Sequence, residues 1–209
     1  MLRLTYIFAL LFSLLTIQMI SVRDLSASII FEPFLAYTFG GNVDQAIDGT
    51  IFTWEYSAPT YGFRTGYYNT GFMVGVQFDL VTETWEGTGY RGADINDTSQ
   101  ELGGQNFGLF FGYQLVPPVR FWGNYYLSNR YNKKDDQGLY SRGDTYIGMG
   151  FSFGVGYAIW SFLAVNLEYR GFTFNQIKIA TEKRTYNLDA GREIHLSEFL
   201  LSVSFPIIF

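Results

Sequence analysis

Ile147-Gly148-Met149-Gly150-Phe151-Ser152-Phe153-Gly154-Val155-Gly156-Tyr157-Ala158-Ile159 is the stretch whose reading decides the fold. It lies within Thr145 to Leu167, a run without a single charged residue that a hydropathy window would mark as a membrane helix. The alternation argues otherwise. Ile147, Met149, Phe151, Phe153, Val155, Tyr157 and Ile159 are large and apolar, whereas Gly148, Gly150, Ser152, Gly154 and Gly156 are tiny. A helix, turning ~100° per residue, would smear both sets around its circumference, and a strand puts each on its own face. The glycines would also cost a helix roughly 1 kcal/mol apiece. The stretch is a strand.

The same period-two pattern recurs on both sides of it. Phe72, Val74, Val76, Phe78 and Leu80 oppose Gly75, Gln77 and Asp79; Phe107, Leu109, Phe111, Tyr113 and Leu115 oppose Gly108, Gly112 and Gln114. Val119, Phe121, Tyr125 and Leu127 oppose Arg120, Asn124 and Ser128. Leu163, Val165, Leu167 and Tyr169 oppose Asn166, Glu168 and Arg170, and Phe199, Leu201, Val203, Phe205, Ile207 and Phe209 oppose Glu198, Ser202 and Ser204. Two weaker segments, Ile29 to Gly40 and one ending at Tyr61 to Tyr68, bring the strands to eight. Short turns near 69–71, 117–118 and 160–162 alternate with long polar links near 41–59, 87–104, 132–143 and 178–194. That rhythm is the one expected of an all-β, antiparallel, up-and-down transmembrane β-barrel, with periplasmic turns and external loops. An extra hairpin within 41–60 would make a ten-stranded variant.

Composition bounds the function. The 209 residues include 21 Phe, 16 Tyr and 23 Gly, and only 16% are charged, against ~25% in soluble domains. Mean hydropathy is +0.06, too polar for stacked helical spans. The absence of cysteine removes disulfide scaffolds and Cys-ligated metal sites, and one histidine leaves little for a transition metal. No cofactor is expected. A net charge of −5 argues against nucleic-acid partners. Residues 1–27 read as a signal peptide: Arg3 is the positive end, Ile7 to Ile20 the apolar run, and Leu25-Ser26-Ala27 the cleavage region. Residues 28–209 form the barrel domain.

Seven charged residues fall within the spans: Glu32, Arg64, Asp79, Arg120, Glu168, Arg170 and Glu198. All share the parity opposite the large apolar side chains. Facing lipid, an Arg or Lys at mid-bilayer would cost ~2–4 kcal/mol, so these seven are expected to point inward. Buried charges need partners. Glu32–Arg64 and Arg170–Glu198 contacts are predicted across neighbouring strands, with Asp79 free to join either layer. The expected result is a polar, largely plugged interior, and the alternative is a narrow pore for water or small solutes. Trp54, Trp85, Trp122, Trp160, Tyr61, Tyr67, Tyr125, Tyr126, Tyr131, Tyr157 and Tyr169 are candidates for interfacial aromatic girdles.

The hairpin from Phe107 to Arg120, with Pro117-Pro118 at its turn, and the final strand closing on Phe209 carry a resemblance. Over essentially all of residues 28–209 the chain resembles the OmpA/OmpX-type eight-stranded outer-membrane β-barrels. The resemblance implies a monomer in the bacterial outer membrane, surrounded by lipid and lipopolysaccharide. Phe199, Leu201, Val203, Phe205, Ile207 and Phe209 look like the terminal signal read by the barrel-assembly machinery, though Pro206 departs from it. With Pro33, that proline suggests weak pairing at the periplasmic end of the closing seam. The family is functionally diverse, so the expected role is envelope integrity or surface interaction through external loops. Lys178, Lys183, Arg184 and Arg192 make one of those loops a candidate for lipopolysaccharide phosphates or a surface ligand. His195 and Ser197, two residues apart on one strand face, resemble the catalytic pair of outer-membrane lipid A 3-O-deacylases, with Glu193 as a third member. That family carries Asn after its Ser, where this chain has Glu198. The resemblance supplies the lipid-modifying esterase as the enzymatic alternative.

Overall fold

The computed structural model describes residues 28–47, 50–91, 94–116, 118–136, 141–188 and 192–209. The expected signal peptide lies outside the described residues. Strands β1 (Ser28–Ile47), β2 (Thr50–Asn69), β3 (Phe72–Arg91), β4 (Asp94–Val116), β5 (Val119–Lys133), β6 (Thr145–Trp160) and β7 (Leu163–Ile179) pair in sequence as antiparallel neighbours. The eighth stave is built from three pieces. β8 (Arg184–Asn187) and β9 (Ile194–Ser204) both pair with β7, and β9 together with β10 (Ile207–Ile208) pairs with β1. The sheet closes on itself, which removes both edges. This is the eight-stranded up-and-down barrel expected from the alternation.

The closing seam is better bonded than its two prolines suggested. Pro206 interrupts the strand, but Phe205 N–H donates to Pro33 O at 2.9 Å, and Ile29 and Phe209 exchange backbone bonds at 3.2 and 2.9 Å. Pairing resumes within a residue of the proline on either side. The turn between β2 and β3 is a two-residue hairpin in which Thr70 has φ 41° and Gly71 φ 90°. Positive φ at both positions matches the twist of the flanking strands. Glycine adopts it freely, and a β-branched threonine does so under strain.

Strands β3, β4 and β7 are about twice as long as expected. The supposed links at 41–59 and 87–104 are mostly strand: Ile47 pairs with Thr50, and Arg91 pairs with Asp94. The added hairpin near 41–60 is therefore a prolongation of β1 and β2, not an extra pair of staves. A 20-residue strand such as β3, rising ~3.3 Å per residue and tilted by about 45°, climbs ~47 Å, against ~25 Å for an outer-membrane apolar band. The barrel therefore has two storeys. Lipid-facing residues such as Leu35, Tyr37, Phe111, Phe153 and Leu201 are exposed in the lower one. Above Phe39, Tyr61, Leu80, Phe107, Leu127 and Phe199, the outward positions turn polar, with Asn42, Asp44, Glu55, Thr82, Gln105, Arg130 and His195.

Three bulges mark that rim. The register shifts between Thr38 and Gly41 on β1, between Tyr126 and Asn129 on β5, and around Asn175 on β7. Each inserts a residue and flips the parity of everything beyond it. Odd residues face out on β1 up to Phe39, and even ones, Asn42 and Asp44, face out afterwards. A reading that holds one parity per strand loses β1 at this point.

Candidate functional site

The candidate site is the interior, because the described strands bring every charged residue of the spans there. All seven predicted lumen residues are at most 7% exposed. They form one chain of alternating charge. Arg120 Nη1 and Nη2 clamp both oxygens of Glu32 at 2.6 and 2.5 Å. Glu32 Oε1 also meets Arg64 Nη1 at 3.3 Å, and Arg64 Nη2 reaches Glu168 Oε2 at 2.8 Å. The other Glu168 oxygen takes Arg170 Nε at 2.9 Å, and Arg170 Nη1 faces Asp79 at 3.3 Å and Glu198 at 3.7 Å. Both predicted pairs, Glu32–Arg64 and Arg170–Glu198, are in contact. The Arg64–Glu168 bridge, which joins the layers, was not anticipated, and Asp79 serves the upper layer.

Neutral groups fill most of the remaining valences, although Arg120 Nε and Arg170 Nη2 have no hydrogen-bond partner among the described residues, and sequence reasoning missed most of these groups. Gln77 accepts from Arg64 Nε at 2.7 Å while its amide donates to Asp79 at 2.9 Å and to Tyr126 Oη at 2.8 Å. Asn106 donates to Asp79 at 2.7 Å, and Thr38 and Tyr56 hydroxyls donate to Glu198 at 2.7 and 2.9 Å. The Arg64 guanidinium lies between the rings of Phe34 and Trp122, 4.9 and 4.5 Å from their centroids. These partners offset much of the cost of desolvating the ion network.

The glycine face of β6 now has a reason. A Cβ at Gly154 would sit 2.2 Å from the Trp122 indole, one at Gly150 2.3 Å from the Phe172 ring, and one at Gly156 2.7 Å from Arg120 Nε. Bare backbone on one wall leaves room for the bulky groups of the others.

Above the ion network the interior is apolar. Val43, Trp54, Ala58, Val81, Trp85, Leu102, Tyr131, Tyr146, Phe172, Phe174, Ile177, Ile194 and Leu196 form one buried cluster. Trp85 stacks on Tyr146, and Tyr131 meets Phe174 edge-on. Trp54, Trp85, Trp122, Tyr126 and Tyr131 are therefore inside the barrel, not in a girdle; Tyr61, Tyr67, Tyr125, Tyr157 and Trp160 are outside, and Tyr169 is half-buried. A signal for the upper core was present: Val81 and Trp85 share the parity of Gln77 and Asp79 on β3. Gln45, Thr60, Glu83, Gln100, Asn129 and Lys133 are buried polar exceptions in this storey, and Glu83 is the acid among them. It is 2% exposed, takes one bond from Trp85 Nε1 at 2.6 Å, and leaves Oε2 without a partner. Lys133, with Nζ 2.9 Å from Gln100 and 3.2 Å from Asp135, closes the top.

His195 and Ser197 do point outward, on the polar storey. His195 Nδ1 lies 3.2 Å from Thr173 Oγ1, and its Nε2 lies 3.9 Å from Glu193. Its ring nitrogens thus face Thr173 and Glu193, and among the described residues no hydrogen bond joins His195 to Ser197. Phe199, Leu201, Val203, Phe205, Ile207 and Phe209 are all exposed on the outer wall of the closing stave.

No protein-family model and no curated protein matches the chain. Solved structures do. The attachment invasion locus protein Ail of Yersinia pestis, crystallised with the heparin analogue sucrose octasulfate, aligns with a TM-score of 0.52 at 9% identity over 87% of this chain and 99% of that one. Neisserial surface protein A aligns with a TM-score of 0.46 at 15% identity over 85% and 96%. OprG of Pseudomonas aeruginosa gives 0.46 at 12% identity over 87% and 96%. At such identities the likeness concerns the fold. The chain has the fold of the OmpA/OmpX-type barrels, and its apolar outer belt makes it a transmembrane protein of the bacterial outer membrane.

Proposed function

We propose that the chain is a non-conducting, non-enzymatic outer-membrane barrel that holds a rigid β-platform above the lipid for surface interaction or envelope integrity. One observation carries this reading: the interior is filled at two successive levels. A permeant would meet the Arg120–Glu32–Arg64–Glu168–Arg170 network and then side chains such as Trp85, Leu102, Tyr131 and Phe174, none more than 1% exposed. Ions crossing the second level would meet mostly rings and aliphatic side chains in place of their water. The strands that rise above the lipid spend about half their length on this packed core, which a mere membrane anchor does not need. The outward polar walls and the ends of the hairpins are then the surfaces offered to partners. For an esterase, His195 Nδ1 would have to exchange Thr173 for Ser197, with which it makes no hydrogen bond among the described residues.

Planar-bilayer recording on the folded protein tests the reading. The expected trace has no discrete conductance steps. Reproducible unit steps that survive in wild type and change with Arg170→Glu would overturn it in favour of a pore.

A further inference from the structure

Two grooves indent the outer wall just above the apolar belt, and their linings have opposite charge. The first, about 570 Å³, runs over β1, β2 and β3 and carries Glu55 and Glu86 without a cation. The second, about 500 Å³, crosses the barrel from Tyr61 on β2 to Lys178 at the end of β7 and carries Arg130, Lys134 and Lys178 without an acid. Its dent exists because β4 offers Gly103 where its neighbouring outward residues are Gln105 and Glu101, so the Lys134 side chain lies across bare backbone. Glu101, the next outward residue on β4, is not part of the lining. All three cations are exposed, and among the described residues none is in an ion pair or a side-chain hydrogen bond.

Height decides what this groove faces. Its lower lip is Tyr61, Leu80 and Ile147, which stand at the upper edge of the apolar belt on β2, β3 and β6. Directly below, Phe107, Tyr125 and Met149 continue an exposed apolar wall into the lipid zone. The cations thus stand at the depth of lipid headgroups, with an acyl-chain track beneath them. Soluble anions and proteins need no such track. Unpaired cations at an anionic leaflet are each worth a several-fold gain in affinity.

We propose that the Arg130–Lys134–Lys178 groove is a binding site for a bis-phosphorylated glycolipid of the outer leaflet, the lipid A type. Its phosphates bridge the three cations and its acyl chains lie against Phe107, Tyr125 and Met149. The acidic groove over β1–β3 repels the same headgroup, so the lipid is held on one side of the barrel only. This rests on the outer-membrane reading above, which heat-modifiable mobility on cold SDS-PAGE tests separately.

The test is native mass spectrometry of the folded, detergent-solubilised protein titrated with bis-phosphorylated lipid A. Its dephosphorylated counterpart and inorganic phosphate serve as comparison probes. The triple variant R130Q/K134Q/K178Q is expected to bind lipid A on the order of a hundredfold more weakly, about fivefold per charge removed. E55Q/E86Q should bind as wild type or tighter. Dephosphorylated lipid should bind wild type no better than the triple variant, and millimolar phosphate should not displace lipid A. Should the triple variant lose its heat-modifiable band, K178Q alone carries the test, with about a fivefold loss expected. Equal affinity of wild type and the cation variants overturns the site. Equal weakening by E55Q/E86Q does so too, and full displacement by inorganic phosphate would make it a free-anion site instead.

Discussion

On the inner face of β3, Gln77 and Asp79 sit in a network of arginines and carboxylates, and a few residues higher Val81 and Trp85 sit in an aromatic core. The strand, its pairing and its parity are unchanged between the two places. What changes is the surroundings of the outer face: Val76, Phe78 and Leu80 meet lipid, whereas Thr82 and Glu86 meet water. In the lower storey lipid claims the apolar side chains and the lumen keeps the polar ones, which must then satisfy each other. In the upper storey water reclaims the polar side chains, and the hydrophobic effect packs the apolar ones inside. One barrel thus holds an inverted core and an ordinary core in series.

The two storeys should break differently. Arg170→Ala leaves Asp79 and Glu198 without a cation among the described residues and Glu168 with Arg64 alone, and a loss of about 4 kcal/mol is expected in urea unfolding from lipid vesicles. Leu102→Ala, in the upper core, should cost about 3 kcal/mol by the same assay, through a cavity alone. It should also raise amide exchange above the rim while leaving the belt protected. Gly154→Ala drives a methyl into the Trp122 ring and is expected to cost about 2 kcal/mol. Glu83→Gln runs the other way. The amide retains the acceptor for Trp85 and removes a buried carboxylate that has no cation among the described residues, so a gain of about 1 kcal/mol is expected.

The lower storey was legible because lipid enforces a strict alternation: every outward residue of β6 from Ile147 to Ile159 is large, and all seven span charges have inward parity. Partner choice was only half legible. Glu32–Arg64 follows from register, since those residues face each other across β1 and β2, but Arg64–Glu168 crosses the lumen between strands that are not neighbours. The upper storey was hidden for two reasons. Bulges at Phe39 and Gly40, at Leu127 and Ser128, and at Asn175 break the period at its threshold. Beyond them the alternation reverses its chemistry, so Thr53-Trp54-Glu55-Tyr56-Ser57 resembles a polar loop unless the reversal is expected. The cationic groove was invisible for a third: Arg130, Lys134 and Lys178 meet only through the pairing of β5, β6 and β7.

The change of solvent along one strand can be measured directly, because the chain has no native cysteine to interfere. Single cysteines placed from Phe72 to Glu86 on β3, each carrying a nitroxide, report contact with lipid-soluble oxygen or with a water-soluble nickel chelate. Even positions from 72 to 80 should favour oxygen, and 82, 84 and 86 should favour nickel. The odd positions from 73 to 85 should be shielded from both, across the ion network and the aromatic core alike. Nickel access at the odd positions from 77 to 85 would mean a wetted lumen, and oxygen access at 82, 84 and 86 would mean that lipid covers both storeys; either result contradicts the two-storey barrel.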